Sequence, residues 1–280
     1  MLLMIIVITY KYMDKRDTIK TGDVVIFSGN TPTGFLLRTF GSTEWNHSGI
    51  AVRFKKKSDL QAEQDTEVPS VRREISLTEE GELYILETNT GIRMDDIFGV
   101  NVVGAAFSRA EWAFHRYNKI AVRRLHDIFR TPLLAERTLD FYYKNRGSKF
   151  PSSSLPFIGI WLGISLAEKD ESRNEMFCSE LMAHYYSHCI GPQYQNVTGI
   201  PFDGKLSTLF GSEAPTTEDM FTPGHYTRDN TPNASIFTND NSKGEEIIYI
   251  AYADMLYVIL QPLLIILIIM LAIWMTLPRA

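Results

Sequence analysis

Cysteine is scarce in this chain, and positive charge does not exceed negative charge. The 280 residues include 2 cysteines, and 28 lysines and arginines stand against 33 aspartates and glutamates, which leaves a formal net charge of −5. Because proteins bind phosphate backbones through a surplus of basic side chains, this balance argues against a general polyanion binder, and we expect no nucleic-acid partner. Cys178 and Cys189 lie on one predicted helix and its end, too far apart to form a disulfide, which favours a reducing compartment.

A basic residue is also missing before the apolar N-terminal run, residues 1–10, and no cleavage site of small residues follows this run. A secretory signal peptide would have both features, so the run is a poor signal peptide. We expect the N-terminal segment, residues 1–19, to form either a buried strand or a short interfacial anchor, and the sequence favours neither.

Formal charge is absent from a long stretch toward the C-terminus. Residues 255–277 are 23 consecutive residues without a formal charge, dominated by Leu, Ile and Met. As a helix they would extend roughly 35 Å, enough to cross a bilayer core of about 30 Å. Tyr249, Tyr252, Tyr257 and Trp274 lie where interfacial anchors would. We therefore predict a single-pass protein with a C-terminal membrane anchor and its bulk in the cytosol; a long buried core helix is the alternative.

Apolar residues are plentiful enough, at 45% of the chain, for one domain with a sizeable core. Residues 55–82 are polar and acid-rich, and we expect them to form a surface insertion without catalytic groups. Alternation, turn residues and proline positions predict strands at 24–27, 47–54, 83–88 and 118–125, and helices at 32–40 and 132–145.

Cys178 lies just inside the start of a predicted apolar-faced helix, with Ser172 or Asn174 as the expected N-cap and Gly191 at its end. The free N–H groups and partial positive charge of a helix N-terminus favour a thiolate, and can lower a cysteine pKa from about 8.5 to roughly 3.5–7.5. Cys178 is therefore the candidate nucleophile. Cys189 lacks this advantage at the C-terminal end and is predicted to be a core residue.

Two further side chains could act with that cysteine. His47 lies where a loop becomes a strand, a common place for a catalytic group, although a lone histidine more often only makes a local hydrogen bond. Glu87 shares a strand face with Leu83 and Ile85, so its carboxylate is predicted to point inward and to need a partner. A solvated glutamate at a fraying strand end is the alternative.

A metal site is the rival enzymatic hypothesis. His184 and His188 lie one helical turn apart, with Glu180 one turn earlier. The zinc-protease pattern requires glutamate directly after its first histidine, and Tyr185 occupies that position here. We therefore expect neither a metal nor a cofactor.

Three short segments together carry a family resemblance: Gly22–Phe27, His47–Ile50 and Phe177–Leu181. They resemble the circularly permuted papain-like proteins of the NlpC superfamily, nearest to the YiiX-like branch with bacterial and large-DNA-virus members. Ordinary papain-like enzymes carry cysteine before histidine, and the order here is reversed, as permutation implies. The resemblance covers residues 20–226, with 55–82 as an insertion longer than the pattern needs and 227–254 as a linker to the membrane.

The resemblance implies an α+β fold, a mostly antiparallel sheet or partial barrel packed against the cysteine-bearing helix. It implies Cys178 as nucleophile, His47 as general base and Glu87 as the third polar residue. The implied function is a membrane-anchored cysteine amidase, peptidase or acyltransferase that attacks an amide, ester or thioester carbonyl of a peptide, acylated protein or lipid. The alternative is a membrane-tethered module that binds a lipid or acylated peptide without turnover. The sequence leaves the oligomeric state open.

Overall fold

The computed structural model describes residues 16–29, 43–56, 75–77, 81–149, 175–215, 221–227, 234–238 and 246–250. Residues 1–10, the predicted helix at 32–40, most of the insertion at 55–82 and the predicted span at 255–277 lie outside these ranges. None of the helices within the described ranges combines the length and the apolar character needed to cross a bilayer.

The described strands form one sheet in which every pairing is antiparallel. Its order is β5-β4-β2-β1-β6-β7, and β3 also pairs with β2, so the sheet is open between β5 and β7 in this part of the chain. The expected α+β class with an antiparallel sheet is confirmed. The strands are β1 (Val24–Ser28), β2 (His47–Lys56), β3 (Ile75–Leu77), β4 (Glu82–Met94), β5 (Asn101–Arg109), β6 (Lys119–Arg123) and β7 (Glu246–Ile250).

Helices cover both faces of this sheet. They are α1 (Ala110–His115), α2 (Pro132–Asn145), α3 (Cys178–Cys189), α4 (Gly191–Thr198) and α5 (Leu206–Phe210), with 3-10 turns at Asp127–Phe129 and Pro223–Tyr226. Helix α2 has the predicted bounds. It begins at a proline because the first helical residue needs no intrahelical N–H partner.

Alternation along the strands separates two hydrophobic clusters. Val24 and Ile26 of β1 and Ile50 and Val52 of β2 pack in the cluster that contains residues of α2 and α3. The residues between them, such as Val25 and Ala51, pack in the cluster that contains α1. Because successive strand side chains point to opposite faces, one face of the sheet carries α3 and the other carries α1.

The start of α3 differs from the prediction. The helix begins at Cys178 itself, with Phe177 as the N-cap, whereas Ser172 and Asn174 lie outside the described residues. A capping side chain in the first turn is present all the same, because the Glu180 carboxylate accepts a hydrogen bond from the Phe177 N–H at 3.3 Å. The nucleophile candidate is therefore the first residue of the helix.

Several elements were not predicted. Strand β5 contains Gly104 with φ +88°, where a Cβ would collide with the Ser148 carbonyl, and its small residues lack the usual β-forming character. Strand β4 runs past its predicted end at residues 89–91 through a bulge between Asn89 and Ile92.

The stretch expected to consist of loops and linker also contains regular structure. Helix α3 does stop before Gly191, but α4 begins there directly, since Pro192 is tolerated in a first turn. Helix α5 lies further along the same stretch. Residues 246–250, within the predicted linker 227–254, form β7 against β6, consistent with their β-branched and aromatic side chains.

Candidate functional site

Cys178 is held at the point where α3 meets the sheet. As the first residue of the helix it has a backbone N–H without an intrahelical acceptor, and it lies within the partial positive charge of the helix N-terminus. The apolar face of α3, with Leu181, Met182 and Tyr185, packs into the core shared with β2. Cys178 itself is only 6% exposed. Helix packing therefore fixes the sulfur at a buried position close to the sheet.

His47 is the first residue of β2, where it pairs with Phe27 of β1. Its ring is buried and packs against two aromatic rings that also contact each other. The Tyr117 ring stacks on it with centroids 5.4 Å apart and planes within 11°, and the Phe27 ring lies 5.7 Å away. These contacts fix the orientation of the imidazole at the strand end.

Glu87 lies on the neighbouring strand β4 and is fully buried. Its Oε2 contacts the His47 Nε2 at 2.5 Å. Its Oε1 accepts hydrogen bonds from the Ser108 hydroxyl and from Arg116 Nη2, each at 2.8 Å. A buried carboxylate is costly unless its oxygens are satisfied, and here each oxygen has a partner. Since Nε2 is engaged with Glu87, the other ring nitrogen of His47, Nδ1, is left for the sulfur.

The cysteine and histidine shift each other's pKa. Burial alone would raise the pKa of the Cys178 thiol and lower that of His47. Their mutual attraction and hydrogen bond outweigh burial, so the pKa of Cys178 falls below its ordinary value and the pKa of His47 rises to about 9, with Glu87 adding to the rise. The two shifts therefore favour the thiolate of Cys178 and the imidazolium of His47 over their neutral forms.

Cys189 provides the contrast within the same helix. Burial raises the pKa of its thiol well above the ordinary value. It lies at the C-terminal end of α3 and is fully buried in the core, as the sequence predicted. Of the two thiols, only Cys178 is poised as a nucleophile.

The structure brings together the three predicted residues, Cys178, His47 and Glu87, although they come from three separate elements. Sequence reasoning missed Ser108 and Arg116. They follow Glu87 by 21 and 29 residues, on β5 and just after α1, and no motif connects them to it.

The residues of the rival metal hypothesis lie along α3. His184 Nε2 is 3.8 Å from the Glu180 Oε1, and Glu180 is already engaged in capping the helix. Burial is the main cause that lowers the pKa of His188, with Lys144 and Arg137 adding to it. Within the described ranges, no group of three or more His, Cys, Asp or Glu residues is arranged to hold a metal ion.

Comparison with known proteins finds similarity among solved structures but none among family profiles or curated proteins. No protein-family profile and no curated protein matches this chain. Among solved structures it is similar to one described as the crystal structure of metalloprotein yiiX from Escherichia coli O157:H7, DUF1105. The match covers 80% of this chain and 98% of that one, with a TM-score of 0.41 and 13% sequence identity. At that identity no residue role is taken from the neighbour.

Proposed function

We propose that this chain is a thiol hydrolase or acyltransferase of the permuted papain-like type, with Cys178 as nucleophile, His47 as general acid and base, and Glu87 as the group that orients the imidazole. One observation carries the proposal: the buried His47 ring contacts the Glu87 carboxylate at 2.5 Å and lies close enough to Cys178 for each to shift the pKa of the other. A nucleophile, a base and an oriented third group are the parts that acyl transfer requires.

In the first half-reaction, the Cys178 thiolate attacks the carbonyl carbon of an amide, ester or thioester. A carbon–sulfur bond forms, and the carbonyl electron pair moves to the oxygen. The free Cys178 N–H at the helix start is positioned to donate to that oxygen. When the intermediate collapses, the amine, alcohol or thiol leaves with the proton of the His47 imidazolium, and an acyl thioester remains on Cys178.

In the second half-reaction, neutral His47 takes a proton from water in a hydrolase, or from an amine or alcohol in a transferase. The resulting nucleophile attacks the thioester, the carbon–sulfur bond breaks, and the thiolate returns with the imidazolium. Throughout both steps, Glu87 holds Nε2 of His47, so that Nδ1 keeps facing the sulfur. Water, an amine and an alcohol would react through the same steps at this site. The acceptor therefore determines whether the activity is hydrolysis or acyl transfer.

The proposed class of substrate is supported by the sequence and not by the site. Residues 255–277 support a C-terminal membrane anchor, with the domain facing the cytosol and an acylated protein, peptide or lipid as substrate. Removal of residues 255–280 is expected to release the protein from the membrane fraction of cells. A truncated protein that still sediments with membranes would overturn the single-anchor topology.

Thiol reactivity tests the proposed chemistry directly. Iodoacetamide, a small electrophile, is expected to label Cys178 at pH 6–7 faster than Cys189, because the pKa of Cys178 is lowered and that of Cys189 is raised. His47→Ala and Glu87→Gln should each slow labelling at Cys178 by about 10-fold or more, since one pKa unit changes the thiolate fraction tenfold. Peptide mass analysis separates the two sites.

Cys189 in the same molecule is the internal control for unfolding. If the two cysteines of the folded protein react equally fast, and His47→Ala changes neither rate, the catalytic proposal fails. A tethered module that binds lipid or acylated peptide without turnover would then be the better description.

A further inference from the structure

Ser48 carries a buried hydroxyl that the fold does not use. Ser48 is fully buried, and its Oγ has no hydrogen-bond partner of normal geometry among the described residues. The buried Thr88 Oγ1 also has no hydrogen-bond partner among the described residues. Native proteins satisfy nearly all buried polar side-chain atoms, so an unsatisfied hydroxyl beside a reactive group points to a role in that group's chemistry.

The strand pattern places this hydroxyl beneath α3. Ser48 follows His47 in β2 and has the same parity as Ile50 and Val52, which pack in the cluster that contains α3. Helix α3 packs on β2, and its first residue is Cys178. His47, of the opposite parity, faces the α1 side and reaches the sulfur from the strand end. The sulfur is therefore approached from two directions by consecutive residues of one strand.

The backbone N–H of Ser48 also points toward β4, at a position where β2 and β4 are no longer paired. The Ala51 N–H donates to the Asp23 carbonyl just before β1. Because N–H groups alternate sides along a strand, the Ser48 N–H, three residues earlier, points to the β4 side. Pairing between β2 and β4 runs from Ile50 opposite Leu86 to Phe54 opposite Glu82 and stops short of Ser48.

Both Ser48 donors lie near enough to the sulfur to influence the pKa of Cys178. Burial would raise the pKa of Cys178 and His47 lowers it most, but the backbone N–H and the hydroxyl of Ser48 lower it further. A donor that faces a sulfur favours the thiolate over the thiol, because only the charged form gains a strong hydrogen bond. Thr88 is not among the main groups that shift that pKa.

We propose that Ser48 is a further catalytic residue: its backbone N–H and its otherwise unsatisfied hydroxyl form a pair of donors that holds the Cys178 sulfur as a thiolate in the resting protein. The inference rests on the proposed thiol chemistry and extends it to the residue that follows His47 in β2. Any residue at position 48 other than proline would present the backbone N–H, whereas the hydroxyl requires serine or threonine.

The test measures the rate of iodoacetamide labelling at Cys178 against pH in full-length protein. Ser48→Ala keeps the backbone N–H and removes the hydroxyl, so the pH midpoint of labelling should rise by about one unit, a tenfold loss of thiolate below the midpoint. Thr88→Val is the matched control, because it removes the other unsatisfied hydroxyl from the same sheet face. It should leave the midpoint unchanged. Ser48→Thr keeps a hydroxyl and should retain the wild-type midpoint.

The outcomes separate this inference from the proposed function. If wild-type Cys178 reacts no faster than Cys189, the proposed function itself fails. If wild-type Cys178 is reactive and Ser48→Ala has the wild-type midpoint, only the role of Ser48 fails. An equal rise in Ser48→Ala and Thr88→Val, or in Ser48→Ala and Ser48→Thr, would show a general packing effect and would also overturn it. Circular dichroism of each variant establishes that the protein being labelled is folded.

Discussion

At the scale of single residues, the site depends on how His47 keeps a proton while buried. Burial by itself opposes the imidazolium, so the pKa of about 9 reflects compensation by the negative groups on either side, Cys178 first and Glu87 second. Tyr117 and Phe27 hold the ring but carry no charge at neutral pH. The pKa of His47 is therefore sensitive to the charge on Cys178.

Cys178→Ser should lower the pKa of His47 below about 9, because burial persists while the largest opposing influence disappears. The raised pKa means that protonated His47 favours the folded state fully below the ordinary value of 6.5, and that this contribution is lost as the pH rises through about 9. The variant should lose it at a lower pH. Imidazole NMR titration of wild type and variant measures the change, and Cys189→Ser is the control with an unchanged His47 titration.

At the scale of elements, the pairing of β2 with β4 is what brings His47 and Glu87 together. Gly49 follows His47 by two residues in β2 and lies against residues 85–87 of β4. A Cβ at position 49 would lie 3.1 Å from the Leu86 carbonyl oxygen and would overlap the side chain of Ile85. A glycine within a strand often marks such a close approach of neighbouring chains. The absence of a side chain at position 49 therefore leaves room for Ile85 and Leu86 of β4 next to the site.

Gly49→Ala should destabilise the fold by about 1–3 kcal/mol, the usual cost of overpacking, because the neighbouring strand must move. It should also reduce Cys178 labelling by separating His47 from Glu87. Chemical denaturation measures the first effect and iodoacetamide the second. Gly191→Ala is the comparison, since its Cβ would overlap the ring of Phe202 at the start of α4. It should also lower stability but should leave Cys178 labelling unchanged. An equal loss of labelling in the two folded variants would contradict this account of β2 and β4.

The elements also show what the sequence could predict. Local patterns predicted α2, the strand that starts at His47 and the inward carboxylate of Glu87, because periodicity and proline position are properties of a short stretch. They did not predict the start of α3 at Cys178 or the presence of β5, where position 104 requires glycine because the Ser148 carbonyl lies against it. The partners Ser108 and Arg116 depend on that same missed strand and the helix after it. Each of these features depends on contacts between residues that are far apart in the sequence.

At the scale of the whole molecule, Asp23 joins the start of β1 to the chain that follows β6, more than 100 residues later. The carboxylate is fully buried. It accepts the Leu125 N–H at 2.9 Å and forms ion pairs with Arg124 at 3.1 Å and Arg130 at 2.5 Å. Since β1 lies between β2 and β6, this junction supports the strand that pairs with His47.

Removing that carboxylate should cost far more than removing an exposed one nearby. Asp23→Asn leaves two arginines without their buried counter-charge, and breaking a buried pair in this way typically costs about 3–5 kcal/mol. Asp127, which pairs with Lys20 and Arg130 but is 71% exposed, is the matched control, and Asp127→Asn should cost about 0–1 kcal/mol. Urea denaturation at pH 7 compares the free energies of unfolding. Similar values for the two variants would mean that β1 is held by its strand pairing alone, and that the junction at Asp23 contributes little to the position of His47.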